Sequence, residues 1–280
     1  MAHDLKKMHL AFVGCGVMGE SMVAGLLRKE LVDAANITAS HPRENRRTEL
    51  GEKYGVRAFA GNAEAAAAVA GCQNSAVVLC IKPQRLERVL ADLRGVLHPD
   101  QLVISIVAGA TIEHLADELG TAKVVRAMPN TPSQIGAGIT AWTCTVAVDE
   151  TERAHVRELL SALGRELFVE TENMIDMATS LSATGPTYIF MVMEALTDAG
   201  VHLGFSRDMA KELVQETMLG SVKFAMESHK HPAELRNMVT SPGGTSAEAI
   251  YQMEKGTLRT VLSKAVYAAY KRAVELGKKR

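Results

Sequence analysis

The chain has 280 residues, 31 lysines and arginines against 32 aspartates and glutamates, and four cysteines. That length calls for two domains and leaves room for a large core, while the balanced charge offers no field for nucleic acid or an anionic membrane surface. Cys15, Cys72, Cys80 and Cys144 lack the C-x-x-C spacing of a zinc ribbon or redox dithiol, and no apolar run approaches the roughly eighteen residues of a membrane span, so the expectation is a cytoplasmic protein with reduced thiols.

The first predicted element is an apolar strand over residues 10–13 that runs straight into a glycine-spaced turn and a helix. Gly14, Gly16 and Gly19 fit the G-x-G-x-x-G spacing. The first permits a tight turn, the second lets backbone approach a pyrophosphate, and the third brings helix close to strand. Met18, Met22, Val23, Leu26 and Leu27 recur at helical spacing, so a helix beginning around Gly16 aims its free amides and positive dipole end at that pyrophosphate. A bound dinucleotide is the expectation.

The second strand, NITA, ends where a fold that prefers NAD usually carries an acidic residue for the ribose hydroxyls. Ser40 stands there, followed by Arg43, Arg46 and Arg47. Guanidinium groups suit a ribose phosphate, which points to NADP, with NAD as the alternative cofactor. At least one of Arg46 and Arg47 is expected on a solvated helix face.

Short strands follow around Val56 and over residues 76–81, 102–107 and 123–128, with helical segments between them, the pattern of a parallel sheet wound with helices on both faces. The predicted class is α/β. CIKPQ with Lys82, VAGAT around Ala108, and RAMPNTP over residues 126–132 fall at strand carboxyl ends, where ligands bind in open α/β sheets. Lys82 reads either as a catalytic lysine or as a loop residue that orders a nicotinamide pocket, and Pro129 and Pro132 stiffen their loop. GITAWTCTVAV is a further strand, Asp149 and Glu152 form a predicted capping box, and ELFVE is the last strand. The division is expected near residue 170, with residues 1–169 binding dinucleotide and residues 170–280 forming a helical dimerisation and substrate domain.

In that second half Ala210, Leu213, Val214, Met218, Val222 and Ala225 make one apolar stripe, with small Gly220 and Ser221 permitting close approach. Leu258, Val261, Leu262, Ala265, Val266, Ala269 and Ala273 make another. Stripes of this length call for a partner, and a second copy of the chain is the expected one. SATGPTY, residues 182–188, places Gly185 and Pro186 inside a helical run, so the helix kinks or begins anew there and leaves backbone groups open to a ligand. VTSPGGTSAEAI, residues 239–250, reads as a loop feeding a helix. Gly243 and Gly244 permit unusual backbone angles beside the hydroxyls of Thr245 and Ser246, and the segment is either a carboxylate cradle or a plain cap. No histidine pair has the H-E-x-x-H spacing, His229 and His231 read as a solvated loop, and no metal is expected.

The segments GCGVMGESM, IKP, VAGATI, RAMPNTP, SATGPTY and HPAELRNMVTSPGGTS occur in the order found in pyrroline-5-carboxylate reductases, which the chain resembles over nearly its whole length. The resemblance implies an N-terminal Rossmann doubly wound sheet followed by an all-α C-terminal dimerisation domain. It also implies the last step of proline biosynthesis, hydride transfer from NAD(P)H to the imine carbon of 1-pyrroline-5-carboxylate to give L-proline. The cofactor set expected on this reading is Gly14, Gly16, Val17, Met18, Gly19, Ser40, Arg43, Asn62, Ile81, Lys82, Pro83, Ala108, Gly109, Pro129 and Asn130. Gly243, Gly244, Thr245, Ser246 and Thr187 would hold the substrate, Thr245 and Ser246 being the catalytic pair and Ser246 lying near the imine nitrogen. A homodimer is implied, with a decamer of dimers as the larger assembly.

Two departures bear on substrate shape. Where the family usually has glycine, serine, glycine, proline and alanine, this chain has Ala183, Thr184, Gly185, Pro186 and Thr187, and Ser246 stands where threonine is commoner. A related cyclic imino acid is therefore an alternative substrate. The segments also admit a hydroxyacid-dehydrogenase-like oxidoreductase with Lys82 as proton donor, or a dinucleotide sensor without catalysis, and the intact SPGGTS segment speaks against the sensor. Reduction of a protonated imine asks little acid-base work of the protein, so orientation dominates, an effect worth about 7 to 11 kcal/mol at best.

Overall fold

Strand and helix alternate through the first half of the chain in the computed structural model, which describes residues 5–72 and 74–278. β1 (His9–Val13) and β2 (Ile37–Ser40) are separated by α1 (Val17–Arg28). α2 (Glu44–Tyr54) leads to β3 (Arg57–Phe59), and α3 (Asn62–Ala70) to β4 (Ser75–Leu79). α4 (Leu86–Leu93), β5 (Leu102–Ser105), α5 (Ile112–Leu119) and β6 (Val124–Met128) continue the alternation. β7 (Gly138–Cys144), α6 (Glu150–Ser161) and β8 (Gly164–Phe168) complete it. Among the described residues these eight strands make one sheet, in the order β3-β2-β1-β4-β5-β6-β7-β8. The chain reverses its direction of winding between β1 and β4, the switch point at which doubly wound sheets open a ligand crevice.

Both faces of the sheet are covered, as the near-continuous apolar strands require. Leu10 and Phe12 of β1 point into a core shared with Met22, Val23 and Leu26 of α1 and Val156, Leu159 and Leu160 of α6. Their neighbours Ala11 and Val13 point the other way, onto Ala66 and Val69 of α3, Leu86, Leu90 and Leu93 of α4, and Leu115 of α5. Each large apolar side chain buried this way contributes about 1.5 to 3 kcal/mol. The predicted capping box is present: Glu152 N–H donates to Asp149 Oδ1 at 2.8 Å, and Asp149 N–H donates to Glu152 Oε2 at 3.0 Å.

The strands expected to form a parallel sheet, β1 to β6, pair parallel. The further strand β7, whose direction the sequence left open, pairs antiparallel with β6, Met128 opposite Ala141 and Val125 opposite Cys144. Only a short 3-10 turn, Thr131–Ile135, joins them. A connection of that length reverses the chain, whereas a parallel return needs a crossover of a dozen or more residues.

The last strand ends at Phe168, close to the expected division, but the chain separates into compact units later, between Thr184 and Gly185. α7 (Asn173–Ala178), a π-helical turn over Thr179–Ala183, and residues 269–278 belong with the first unit. α8 (Gly185–His202) begins anew at the predicted glycine, with Pro186 in its first turn.

The second unit, residues 185–268, holds the rest of the helices: α8, α9 (Arg207–Ser228), α10 (Pro232–Met238), α11 (Thr245–Lys255) and the start of α12 (Leu258–Lys278). α8 and α9 approach closely at Gly200, where an added Cβ would stand 2.9 Å from the Cβ of Ala210. Among the described residues of this unit Ala210 alone is buried. Phe190 is 55% exposed, Val222 58%, Leu203 82% and Tyr267 58%. A Cβ added at Gly220, expected at a close approach, would meet nothing within 4 Å among the described residues. Apolar surface on this scale is what a larger interface would cover.

Candidate active site

The parallel strands β1, β2, β4, β5 and β6 end at one edge of the sheet, and the predicted cofactor segments all lie there. Gly14 leaves β1 with φ of +77°, a left-handed conformation, and an added Cβ would stand 3.2 Å from the Cβ of Ile81. Gly16 caps α1 without any side-chain hydrogen bond. The amides that open the helix, at Val17 and Met18, thus have no side-chain cap, and Val17 is exposed. Gly19 is buried against the β4 end, where its Cβ would come 2.7 Å from Cys80 Sγ and 3.4 Å from Cys15 Sγ. Gly14 and Gly19 therefore answer to a steric demand at the places the spacing predicts, whereas a Cβ at Gly16 would meet only Gly14 O, at 3.8 Å.

The thiols beneath this loop are structural. Burial pushes the Cys15 thiol up to about 12, with Glu20 adding to the rise and Arg46 opposing it. Burial likewise raises Cys80 well above its usual value. Neither ionises in the neutral range, so both serve as packing under the glycine loop.

Ser40 corrects the sequence reading of a direct cofactor contact. It is fully buried, its Oγ accepts from the Gly14 N–H at 2.9 Å, and it donates to Asn62 Oδ1 at 2.8 Å. Its hydroxyl is spent inside the protein. Asn62, at the start of α3, also donates to Asp92 Oδ2 at 3.0 Å, so the pair braces the first glycine instead of facing outward.

The three arginines after β2 separate cleanly. Arg46 is ion-paired with Glu20 and Glu49, and Arg47 Nη1 donates to the backbone oxygens of His41 and Pro42 at 3.0 and 2.9 Å. Arg43, exposed at the cap of α2, has no side-chain partner among the described residues. Of the three guanidinium groups, it alone has no bond within the protein among the described residues. Glu20 is a hub that sequence reasoning missed. Burial would raise its carboxyl, but hydrogen bonds from Arg46, Lys53 and Tyr54 hold it below the usual carboxylate value, tying α1 to α2. His41 was also missed. Burial lowers its pKa below the usual imidazole value, and the charges of Arg43, Arg46 and Arg47 lower it further, against the Arg43 backbone hydrogen bond, which raises it.

Ile81, Lys82 and Pro83 follow β4, with Lys82 exposed. After β5 a tight turn is closed by Ala110 N–H donating to Val107 O at 3.2 Å, with Ala108 and Gly109 at its corner and Gly109 at φ of +73°. After β6, Pro129 is buried, and Asn130 Oδ1 accepts from Ile139 N–H at 3.0 Å, which holds that loop to the edge of β7.

In the second unit, Gly244 caps α11 with no side-chain bond, and Gly243 carries φ of +70°. An added Cβ at Gly244 would stand 3.2 Å from the Ser241 carbonyl oxygen. Thr245 and Ser246 are the first two helical residues, and their hydroxyls meet no partner among the described residues. With glycine at the cap, no side-chain oxygen engages this helix start, and its first amides stand beside two hydroxyls without a partner among the described residues. Thr187 is exposed in the first turn of α8. His229 ends α9 in a left-handed conformation, and His231 caps α10 through Nδ1, accepting from Ala233 N–H at 3.2 Å.

Residues 172–276 match the family described as pyrroline-5-carboxylate reductase dimerisation, and residues 9–109 match NADP oxidoreductase coenzyme F420-dependent. A pyrroline-5-carboxylate reductase of Synechocystis is 38% identical over 272 residues, covering 97% of this chain and 99% of the relative. The solved structure of Plasmodium falciparum pyrroline carboxylate reductase, with NADP bound, superposes with a TM-score of 0.87 at 29% identity, covering 98% of this chain and 99% of that one. A pyrroline-5-carboxylate reductase from Coxiella burnetii gives a TM-score of 0.85 at 34% identity, covering 97% and 98%.

Proposed function

The chain belongs to the pyrroline-5-carboxylate reductase family, and we propose how its own residues carry the reduction that membership implies. NADPH, when bound, supplies the hydride that converts the protonated imine of 1-pyrroline-5-carboxylate into the secondary amine of L-proline. The observation that supports this reading best is the glycine loop: an uncapped helix start at Gly16, two glycines without room for a Cβ, and Arg43 free beside them.

In this reading the amides of Val17 and Met18 bind the pyrophosphate, and Arg43 binds the 2′-phosphate of the ribose. Ser40 and Asn62 hold Gly14 in place. Ile81, Lys82, Pro83, Ala108, Gly109, Pro129 and Asn130 line the path toward the nicotinamide. Lys82, exposed on its loop, orders that path and is not the proton donor, because the imine arrives protonated. Gly243, Gly244 and Thr245 hold the substrate carboxylate, Ser246 orients the ring nitrogen, and Thr187 narrows the space around the ring. Transfer requires the two reacting carbons in contact, so the protein acts mainly by orientation.

The dimerisation match over residues 172–276 means that the chain self-associates. A homodimer is the unit we propose, with a decamer of dimers as the larger assembly, because the exposed apolar helices of the second unit need a covering partner. Among the described residues no helix is long and apolar enough to cross a membrane. Four free cysteines suit a reducing cytoplasm. The direct test follows NADPH oxidation at 340 nm with 1-pyrroline-5-carboxylate and with smaller and larger cyclic imino acids. Turnover confined to a different ring size would replace the substrate, and no turnover with any of them would overturn the reading.

A further inference from the structure

The turn that follows β5 is held from two directions by parts of the chain far from it in sequence. On one side, Arg126 of β6 is buried and donates to Glu172 Oε1 at 2.8 Å and Asp176 Oδ1 at 2.6 Å. The same Glu172 oxygen accepts the N–H of Ile112, the first residue of α5, at 2.8 Å. The far end of the turn is thereby fixed to β6 and α7. On the other side lies the end of α12. An added Cβ at Gly109 would stand 2.8 Å from the carbonyl carbon and Cβ of Leu276, and one at Gly277 would stand 3.6 Å from Gly109 O and from Thr111 Cγ2. Tyr270, in the same stretch of α12, hydrogen-bonds Asn173 Oδ1 through its hydroxyl at 3.1 Å.

Backbone laid on backbone at Gly109 and Gly277 leaves the turn no room to move toward α12, and Glu172 keeps its other end from lifting away. We infer that the last turn of α12, through Leu276 and Gly277, positions residues 107–110 and so sets the height of the surface that meets the nicotinamide. Leu276 is a positioning residue, since it touches the turn and not the ligand. The inference rests on the reading that Ala108 and Gly109 serve the nicotinamide half of the cofactor.

Leu276→Gly removes the Cβ that stands against Gly109, and the test uses the full-length protein with two probes. NADPH spans the whole cofactor site, whereas adenosine 2′,5′-bisphosphate reaches only the glycine loop and Arg43. The expected result is an NADPH affinity and kcat each lower by about tenfold, within the range a small misplacement costs, while the fragment binds as in the wild type. Leu276→Ala, which keeps that Cβ, should leave both at wild-type values. If Leu276→Gly does not fold, Tyr270→Phe, which loses the hydrogen bond to Asn173, should show the same pattern in weaker form. Unchanged NADPH affinity and kcat, or a parallel loss for NADPH and fragment, overturns the positioning role. Gly109→Ala separates the two ideas: if it weakens NADPH while Leu276→Gly does not, only the positioning role fails, and if neither alters NADPH binding, the assignment of the turn to the nicotinamide fails as well.

Discussion

Replacing Arg43 with alanine should weaken NADPH and leave NADH almost untouched. Arg46 is held by Glu20 and Glu49, and Arg47 by the backbone of His41 and Pro42, so neither can swing over to replace a lost guanidinium without breaking its own bonds. A hydrogen bond to a charged group is worth about 1.5 to 3 kcal/mol. Arg43 is exposed, so solvent and salt discount that figure to about 1 to 2 kcal/mol, a loss of roughly five- to thirtyfold. The assay compares kcat/KM for NADPH and NADH in wild type and Arg43→Ala at low and moderate salt. The NADPH deficit should shrink as salt rises, because screening already weakens the contact in the wild type. Equal losses with both cofactors would refute the phosphate assignment, and so would a wild type that uses NADH as well as NADPH.

Ser246→Ala should lower kcat/KM for the imino acid by an amount worth about 1 to 2 kcal/mol, one neutral hydrogen bond, with the dissociation constant of NADPH unchanged; identical kinetics in a folded variant would move the role to Thr245 or Thr187. Gly19→Ala sets a helix-propensity gain of about 1 kcal/mol against overpacking of about 1 to 3 kcal/mol on Cys80 Sγ, so urea denaturation should show a net loss that turns into a gain in a Cys80→Ala background. A destabilised double variant would rule out Cys80 as the obstacle. Cys15, with its thiol pushed up to about 12, should be roughly one part in ten thousand thiolate at pH 8 and escape iodoacetamide in the native protein; rapid labelling seen by peptide mass spectrometry would contradict its burial. Melting temperature should rise with protein concentration, and a folded, active monomer in sedimentation at nanomolar dilution would argue against an obligate dimer.

The elements legible in the sequence were those whose cause is local. A G-x-G-x-x-G turn after an apolar strand, the Asp149–Glu152 capping box and the restart of a helix at Gly185 each depend on a few neighbouring residues, and each stands where the spacing puts it. The direction of β7 was not legible by the same means, because a strand's periodicity is identical either way. The signal that carries it is connection length: residues 129–137 hold two prolines and no helical period, too little chain for a crossover. Ser40 shows a second kind of limit. Its position at the end of β2 was read as a ligand contact, yet whether a hydroxyl faces outward depends on Asn62, twenty-two residues later, and on the amide of Gly14.

Arg126 illustrates the hardest case. Within RAMPNTP it has the look of one more polar residue at a ligand-binding edge, but strand alternation places it inward, where an unpaired guanidinium could not stay. It stays because Glu172 and Asp176, four residues apart and so on one face of α7 and its cap, arrive together from beyond the last strand. A buried charge thus requires partners without saying where in the chain they are. The apolar stripes of α9 and α12 pose the same problem in nonpolar form: Val222, Val261 and Leu262 remain exposed in the single chain, so their periodicity demands a partner that its own protomer does not supply. In both cases the residue type fixes the kind of contact that must exist, and only the folded chain, or a second copy of it, decides which surface provides it.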